Sequence, residues 1–173
     1  MIAMKSLVFF LLLSSVAFGQ SPDTTKRHTP QTWKKFEPGL RVAVGLQKYF
    51  YTELGLGLQR YTYIDKYGFL ATTFYASYQW TPPRSGKLQV NGIKAGAELV
   101  NNGATGGIEV VYLYNDEHSD WVITPKYGFG IGAATLFYGY NFSTSKYPFP
   151  NVRQHQFSLA INTNILFFAK KYN

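Results

Sequence analysis

Without a cysteine, the chemistry open to this chain of 173 residues must come from histidine, carboxylates, lysine and hydroxyls, and the histidines are His28, His118 and His155. His118 has the most suggestive setting, with Asp116, Glu117, Ser119 and Asp120 around it. Carboxylates beside an imidazole could hold a metal ion or perform general acid–base work. Nucleophilic catalysis asks for more: a nucleophile within hydrogen-bond reach of a base that a third group orients. No P-loop, paired-histidine zinc motif or nucleophile elbow occurs. The segment reads as a solvated charged turn between two strands. We therefore expect no catalytic residue, no cofactor and no metal site. His28 falls in a polar leader, and His155 at the start of the last strand reads as an interface residue.

A second set of chemically active groups is scattered singly through the chain: Arg41, Glu53, Lys94, Glu98, Glu109 and Lys126. Each stands in a run where bulky apolar residues take every other position. Thus Leu40, Val42, Val44 and Leu46 alternate with Arg41, Ala43, Gly45 and Gln47, and Leu54, Leu56 and Leu58 alternate with Glu53, Gly55, Gly57 and Gln59. Successive side chains of a strand point to opposite faces, so the charges share the face that carries glycine.

The same two-residue beat places strand three over Leu70 to Trp80, strand five over Ile108 to Tyr114, strand six from Trp121 to Ile131, strand seven from Leu136 to Phe142 and strand eight from Phe157 to Phe167. Strand four begins with Leu88 and Val90 but continues as Ile93, Ala95, Ala97 and Leu99; this change of phase predicts a β-bulge near Asn91 and Gly92. Links fall near Lys48 to Tyr51, at Ile64 to Gly68, Pro82 to Lys87, Asn101 to Gly103, Asn115 to Ser119, Gly132 to Ala134 and Ser143 to Arg153. The link at Gly132 to Ala134 must be a very tight turn, or strands six and seven are one bent strand. No amphipathic helix separates any two strands, so sequential antiparallel pairing is expected. An all-β, up-and-down antiparallel barrel of about eight transmembrane strands is the economical closure, since it leaves no edge.

Alternation does not say which face points inward. Volume does: the greasy faces sum to roughly 30 large residues, and an eight-stranded barrel has room only for packed side chains or one small ligand. The greasy face must therefore point out. That puts Gly45, Gly55, Gly57, Gly96, Gly128, Gly130 and Gly139 in the lumen with a polar network of Arg41, Glu53, Lys94, Glu98, Glu109 and Lys126. Unpaired charges there would be costly, so mutual salt bridges that close the bore are expected. Tyrosine and tryptophan near strand ends, among them Tyr49, Tyr51, Tyr78, Trp80, Tyr112, Tyr114, Trp121, Tyr138 and Tyr140, suit aromatic girdles at membrane interfaces.

The N-terminus agrees with export. Lys5, the apolar core Leu7 to Leu13, and small residues Ala17 and Gly19 compose a signal peptide over residues 1–19, followed by a polar leader over 20–37, the barrel over 38–169 and a tail over 170–173. The apolar core is too short for a spanning helix of roughly 20 residues. Composition fits a strand protein: 18% aromatic, with 14 Tyr, 14 Phe and 16 Gly. The net charge of +8 resides largely in Lys26, Arg27, Lys34, Lys35, Lys170 and Lys171, outside the strands, which suits tails near a lipid surface rather than nucleic-acid binding.

With its signal peptide, dyad strands, the segments ITPKYGFGIG (Ile123 to Gly132) and LFYGYNF (Leu136 to Phe142), and the final FSLAINTNILFF, the chain resembles the small eight-stranded outer-membrane β-barrel proteins of Gram-negative bacteria. The resemblance implies an outer-membrane location, contact with outer-membrane lipid and lipopolysaccharide, and recognition of the last strand by the barrel-assembly machinery, with Phe168 as the candidate signal. It implies a monomer whose termini face the periplasm and whose odd-numbered links face outside. Trp80, Asp116, Glu117, His118, Tyr147 and Phe149 are then the surface-loop binding candidates, and a structural or interactive role follows. The alternatives are an outer-membrane lipid-modifying enzyme using His118 or His155, a narrow pore, and a soluble exported lipocalin-like carrier.

Overall fold

Strand formers at every second position, separated by short glycine- and asparagine-bearing links, fold into consecutive antiparallel strands. The computed structural model describes residues 35–65, 68–83, 89–131, 134–145, 149 and 152–163; side chains are described for these except at 61–69 and 131. The strands are β1 (Glu37–Leu46), β2 (Phe50–Asp65), β3 (Gly68–Thr81), β4 (Val90–Asn101), β5 (Ala104–Tyr114), β6 (Ser119–Ile131), β7 (Ala134–Tyr140), its two-residue continuation β8 (Phe142–Ser143) and β9 (His155–Asn162). Each pairs with its sequence neighbours, and β1 pairs with β9, so the sheet closes into an eight-stranded up-and-down barrel with β7 and β8 counted as one strand. Closure of β1 on β9 leaves no strand of the described residues at an open edge of the sheet. The signal peptide, the leader as far as residue 34, Tyr147, the stretch from 164 through Phe168 and the tail lie outside the described residues.

Turn chemistry fixes several registers. Asn101 pairs with Ala104 across Asn102 and Gly103, whose φ values of 50° and 94° are those of a two-residue hairpin turn that asparagine and glycine tolerate. Ile131 pairs with Ala134, so β6 and β7 are separate strands joined by a link of the same length. Leu46 pairs with Phe50, leaving three residues between β1 and β2.

The expected bulge in β4 is absent. Its register runs unbroken from Asn101 to Val90 against β3 and from Asn91 to Asn101 against β5. Val90, Gly92, Lys94 and Glu98 all face inward and Ile93 outward. The apparent phase change arises because apolar side chains occupy both faces at this end of the strand: Val90 enters an apolar cluster inside the barrel mouth with Val111, Leu113, Val122, Phe149 and Val152. Among the described residues, the irregular register lies between β2 and β3, at Tyr63 and Asp65.

The facing is otherwise regular. Leu54, Leu56, Ile93, Phe129, Leu136 and Phe157 are among the large apolar side chains exposed on the outer wall, Leu56 by 70%. Arg41, Glu53, Lys94, Glu98, Glu109 and Lys126 are buried inside. Tyr51 departs from the expected girdle: it is buried in the lumen, its ring lying where a Cβ on Gly45 would stand.

Candidate functional site

The lumen is built in layers, each set by register. In the middle layer, β1 supplies Arg41, β2 Glu53, β4 both Lys94 and Glu98, β5 Glu109 and β6 Lys126. Arg41 Nε donates to Glu53 Oε1 at 3.0 Å. Lys94 Nζ bridges Glu53 Oε2 at 2.8 Å and Glu109 Oε1 at 3.2 Å. Lys126 Nζ bridges Glu109 Oε2 and Glu98 Oε1, both at 2.8 Å. Glu98 returns to Arg41, which grips it with both terminal nitrogens, Nη2 to Oε1 at 2.8 Å and Nη1 to Oε2 at 3.2 Å. Three cations and three carboxylates therefore alternate around a closed ring, and every charge meets two of opposite sign. The ring carries no net charge, which is the condition under which so many ions tolerate removal from water.

Tyr75 sits across this ring. Its hydroxyl donates to Glu109 Oε2 and accepts from Lys126 Nζ, each at 2.7 Å, while the Arg41 guanidinium stacks 3.8 Å from its ring centre. A Cβ on Gly96 would collide with the Tyr75 ring, so glycine opposite tyrosine makes the space that the ring occupies. Neutral donors complete the carboxylates: Ser77 Oγ gives a hydrogen bond to Glu53 at 2.8 Å, and Gln156 Nε2 one to Glu109 at 2.7 Å. Gln47 Nε2 in turn donates to Gln156 Oε1 at 2.9 Å, linking the ring to the β1–β2 link. Phe137 lies beneath Lys126, 4.4 Å from Nζ to ring centre, packed with Ala43 and Ala160.

Beyond the ring, the mouth is apolar and held by polar clips. Asp120 is buried; it accepts hydrogen bonds from the Ser143 hydroxyl, from Thr144 Oγ1 at 2.8 Å and from the Ser145 N–H at 3.0 Å. Asn141, at the break between β7 and β8, accepts from Thr124 Oγ1 at 2.7 Å, donates from Nδ2 to the Arg153 carbonyl at 2.7 Å and from its backbone N–H to the Gln154 carbonyl at 2.6 Å.

The surface-loop candidates separate in space. Asp116, Glu117 and His118 are exposed together on the β5–β6 turn, where His118 Nδ1 stands 3.8 Å from Glu117. Asp120, their neighbour in sequence, turns inward and is committed to β8 and the residues after it. Trp80 is on the outer wall near the end of β3, 40% exposed. Phe149, expected at the surface, is instead buried in the mouth cluster, with the His118 ring edge-on at 6.5 Å. His155 is on the outer wall, its Nδ1 sharing a 2.6 Å hydrogen bond with the Tyr138 hydroxyl, and Tyr140 meets its ring edge-on at 5.4 Å.

Several contributors escaped the sequence reading. Tyr75, Ser77 and Gln156 alternate in phase with the inward charges, so parity was the signal that could have found them. Among the described residues no group of three or more histidine, cysteine, aspartate or glutamate side chains could hold a metal ion. Compared with known proteins, the chain matches no family model, no curated protein and no solved structure.

Proposed function

We propose that this chain is an integral outer-membrane β-barrel protein with a packed, closed lumen, whose role is structural or interactive and is exercised through the end of the barrel that carries the β5–β6 turn. The observation that carries this reading is the outer wall. Leu40, Val42, Val44, Leu54, Leu56, Leu58, Ile93, Ile108, Ile123, Phe129, Leu136, Leu159 and Ile161 all point away from the barrel and are exposed. In water such a belt would far exceed the apolar patch that a soluble monomer normally shows; in hydrocarbon it is the surface that a strand protein presents.

The interior supports the same assignment. A soluble carrier needs its apolar surface inside, around a ligand, whereas here the bore holds the ion-pair ring. A pore needs an unobstructed polar path, whereas here the ring crosses the bore and apolar side chains occupy its mouth. An enzyme of the membrane surface would need His118 or His155 beside an oriented nucleophile; His118 has Glu117, and His155 has Tyr138 and Tyr140.

The test is fractionation followed by gel mobility. The protein, expressed with its N-terminal leader in a Gram-negative host, is expected in the outer-membrane fraction, resistant to alkaline extraction. Detergent-extracted barrel should migrate faster unheated than boiled. Recovery from the soluble periplasm would falsify the membrane assignment.

A further inference from the structure

The apolar mouth is made of two kinds of part. Val90, Val111, Leu113 and Val122 belong to β4, β5 and β6 and are fixed in place by the strand ladders. Phe149 and Val152 belong to the link after β8, where the Val152 N–H donates to the Phe149 carbonyl at 3.1 Å. That link is tied by polar bonds, at its start to Asp120 through Ser143, Thr144 and Ser145, and at its end to Asn141 through the carbonyls of Arg153 and Gln154. Such bonds exchange for bonds to water at small net cost. Phe149 can therefore leave its seat without breaking a strand ladder; it occupies the wall rather than forming part of it. The exposed His118 ring meets it edge-on, which places the seat near the rim.

The wall also holds a group that this occupant does not serve. Gln79 on β3 is 2% exposed, and its side-chain oxygen is buried with no hydrogen-bond partner among the described residues. It stands in register with Gly92, and Gly92 with Leu113. A Cβ on Gly92 would come within 2.9 Å of Leu113, 3.1 Å of Val111 and 3.4 Å of the Gln79 Cβ, so the glycine lets the glutamine lie directly against two wall residues. A buried carbonyl oxygen without a donor is destabilising. The benzyl side chain of Phe149 fills volume but donates nothing.

We propose that the mouth is a binding socket for a small neutral aromatic molecule carrying one hydroxyl or N–H donor, with Phe149 as its built-in, displaceable occupant. Phe149 sets the size, since the mouth takes its ring at 1% exposure. Gln79 sets the donor. Neutrality follows from the charges nearby: Asp120 is committed to the link, and the ions of the ring beneath compensate one another. A ligand with the shape of the Phe149 side chain and a donor added gains the bond that Phe149 forgoes, and so competes with a group that is already tethered. The socket lies inside the barrel and does not depend on what surrounds the outer wall.

The experiment uses the full protein in neutral detergent micelles, first checked for heat-modifiable mobility, with leucine and valine methyl groups labelled for NMR. The probes are 4-methylphenol and toluene, which share one frame; only the first has a donor. Methyls of Leu54 and Leu56 on the outer wall report partition into the micelle, and those of Leu113 and Val122 report the socket. In wild type, 4-methylphenol should shift the socket methyls saturably, with half-saturation about tenfold below that of toluene, as one hydrogen bond to a buried acceptor supports. Gln79→Met, which keeps the bulk and removes the amide, should bring the two probes to parity. Phe149→Ala should tighten both and preserve their ratio, because it removes the competitor. Socket methyls that respond only in Phe149→Ala make the mouth ordinary filling and overturn the proposal. Equal response to both probes in wild type, or a preference that survives Gln79→Met, overturns it too. A chain that stays in water without detergent and shows no mobility shift overturns the membrane reading instead, and the same titration in buffer then decides the socket.

Discussion

The bore of this barrel contains two regions that solve the same packing problem in opposite ways. The ring of Arg41, Glu53, Lys94, Glu109, Lys126 and Glu98 fills its layer with ions that must each meet two partners in one geometry. The mouth, with Val90, Val111, Leu113, Val122, Phe149 and Val152, fills its layer with side chains whose attraction has no direction. In the first, the loss of one member strands its neighbours as buried, under-paired charges. In the second, the loss of one member leaves only a void. The ring therefore defines one arrangement of strands, while the mouth accepts substitutions of similar size.

That contrast can be broken most severely at Glu109, which accepts from Lys94, Lys126, Tyr75 and Gln156. Glu109→Leu should lower stability by about 3–5 kcal/mol in urea unfolding from lipid vesicles, because two buried ammonium groups lose a shared counter-ion. A loss below that of the mouth variant would show the ring to be ordinary filling. Phe149→Ala should cost about 3 kcal/mol by cavity formation and leave the ring intact, visible as unchanged protection of lumen amides in hydrogen exchange. On the outer wall, if it faces lipid as proposed, Ile123→Arg should cost about 2–4 kcal/mol near the bilayer midplane and nearer zero toward an interface, and a cost of nearly zero together with solubility in water would count against the membrane reading. Gly128→Ala is the mildest change in size, yet a Cβ there collides with the Leu136 carbonyl on the neighbouring strand; about 1–3 kcal/mol is expected from overpacking, measured by the same unfolding. An alanine tolerated at Gly128 would mean that β6 and β7 can part without penalty.

Period and turn chemistry made the fold readable in advance. Leu54, Leu56 and Leu58 against Glu53, Gly55 and Gly57 assign both faces of β2, and Asn102–Gly103 places a hairpin without any knowledge of its partners. The six lumen charges were legible for the same reason: each shares parity with small residues. Pairing within the ring was not, because the reach of Arg41 to Glu98, 57 positions away, depends on closure of the whole sheet. Val90 misled because alternation distinguishes apolar from polar, and the inside of the mouth is itself apolar. Tyr51 misled because Phe50 beside it is also aromatic, so the beat was silent there. Phe149 lies in a proline-rich link with no period to report its burial. Asp116 and Glu117 were visible as a charged turn, and Tyr112 and Tyr114 beside them read in sequence as girdle.

The alternating ring also bears on how the chain assembles. Its members come from five strands, and Arg41 on β1 must reach Glu98 on β4 across the bore. Arg41 and Glu53 lie on paired strands, as do Lys94, Glu109 and Lys126, but the links from Arg41 to Glu98 and from Lys94 to Glu53 skip strands, so the ring is complete only when the sheet curls shut. Ring formation then acts as a proofreading step on closure: a sheet sealed one residue out of register would turn Arg41 onto the outer wall and leave Glu53 and Glu98 short of a cation. Mispaired barrels are thereby penalised at the moment of sealing.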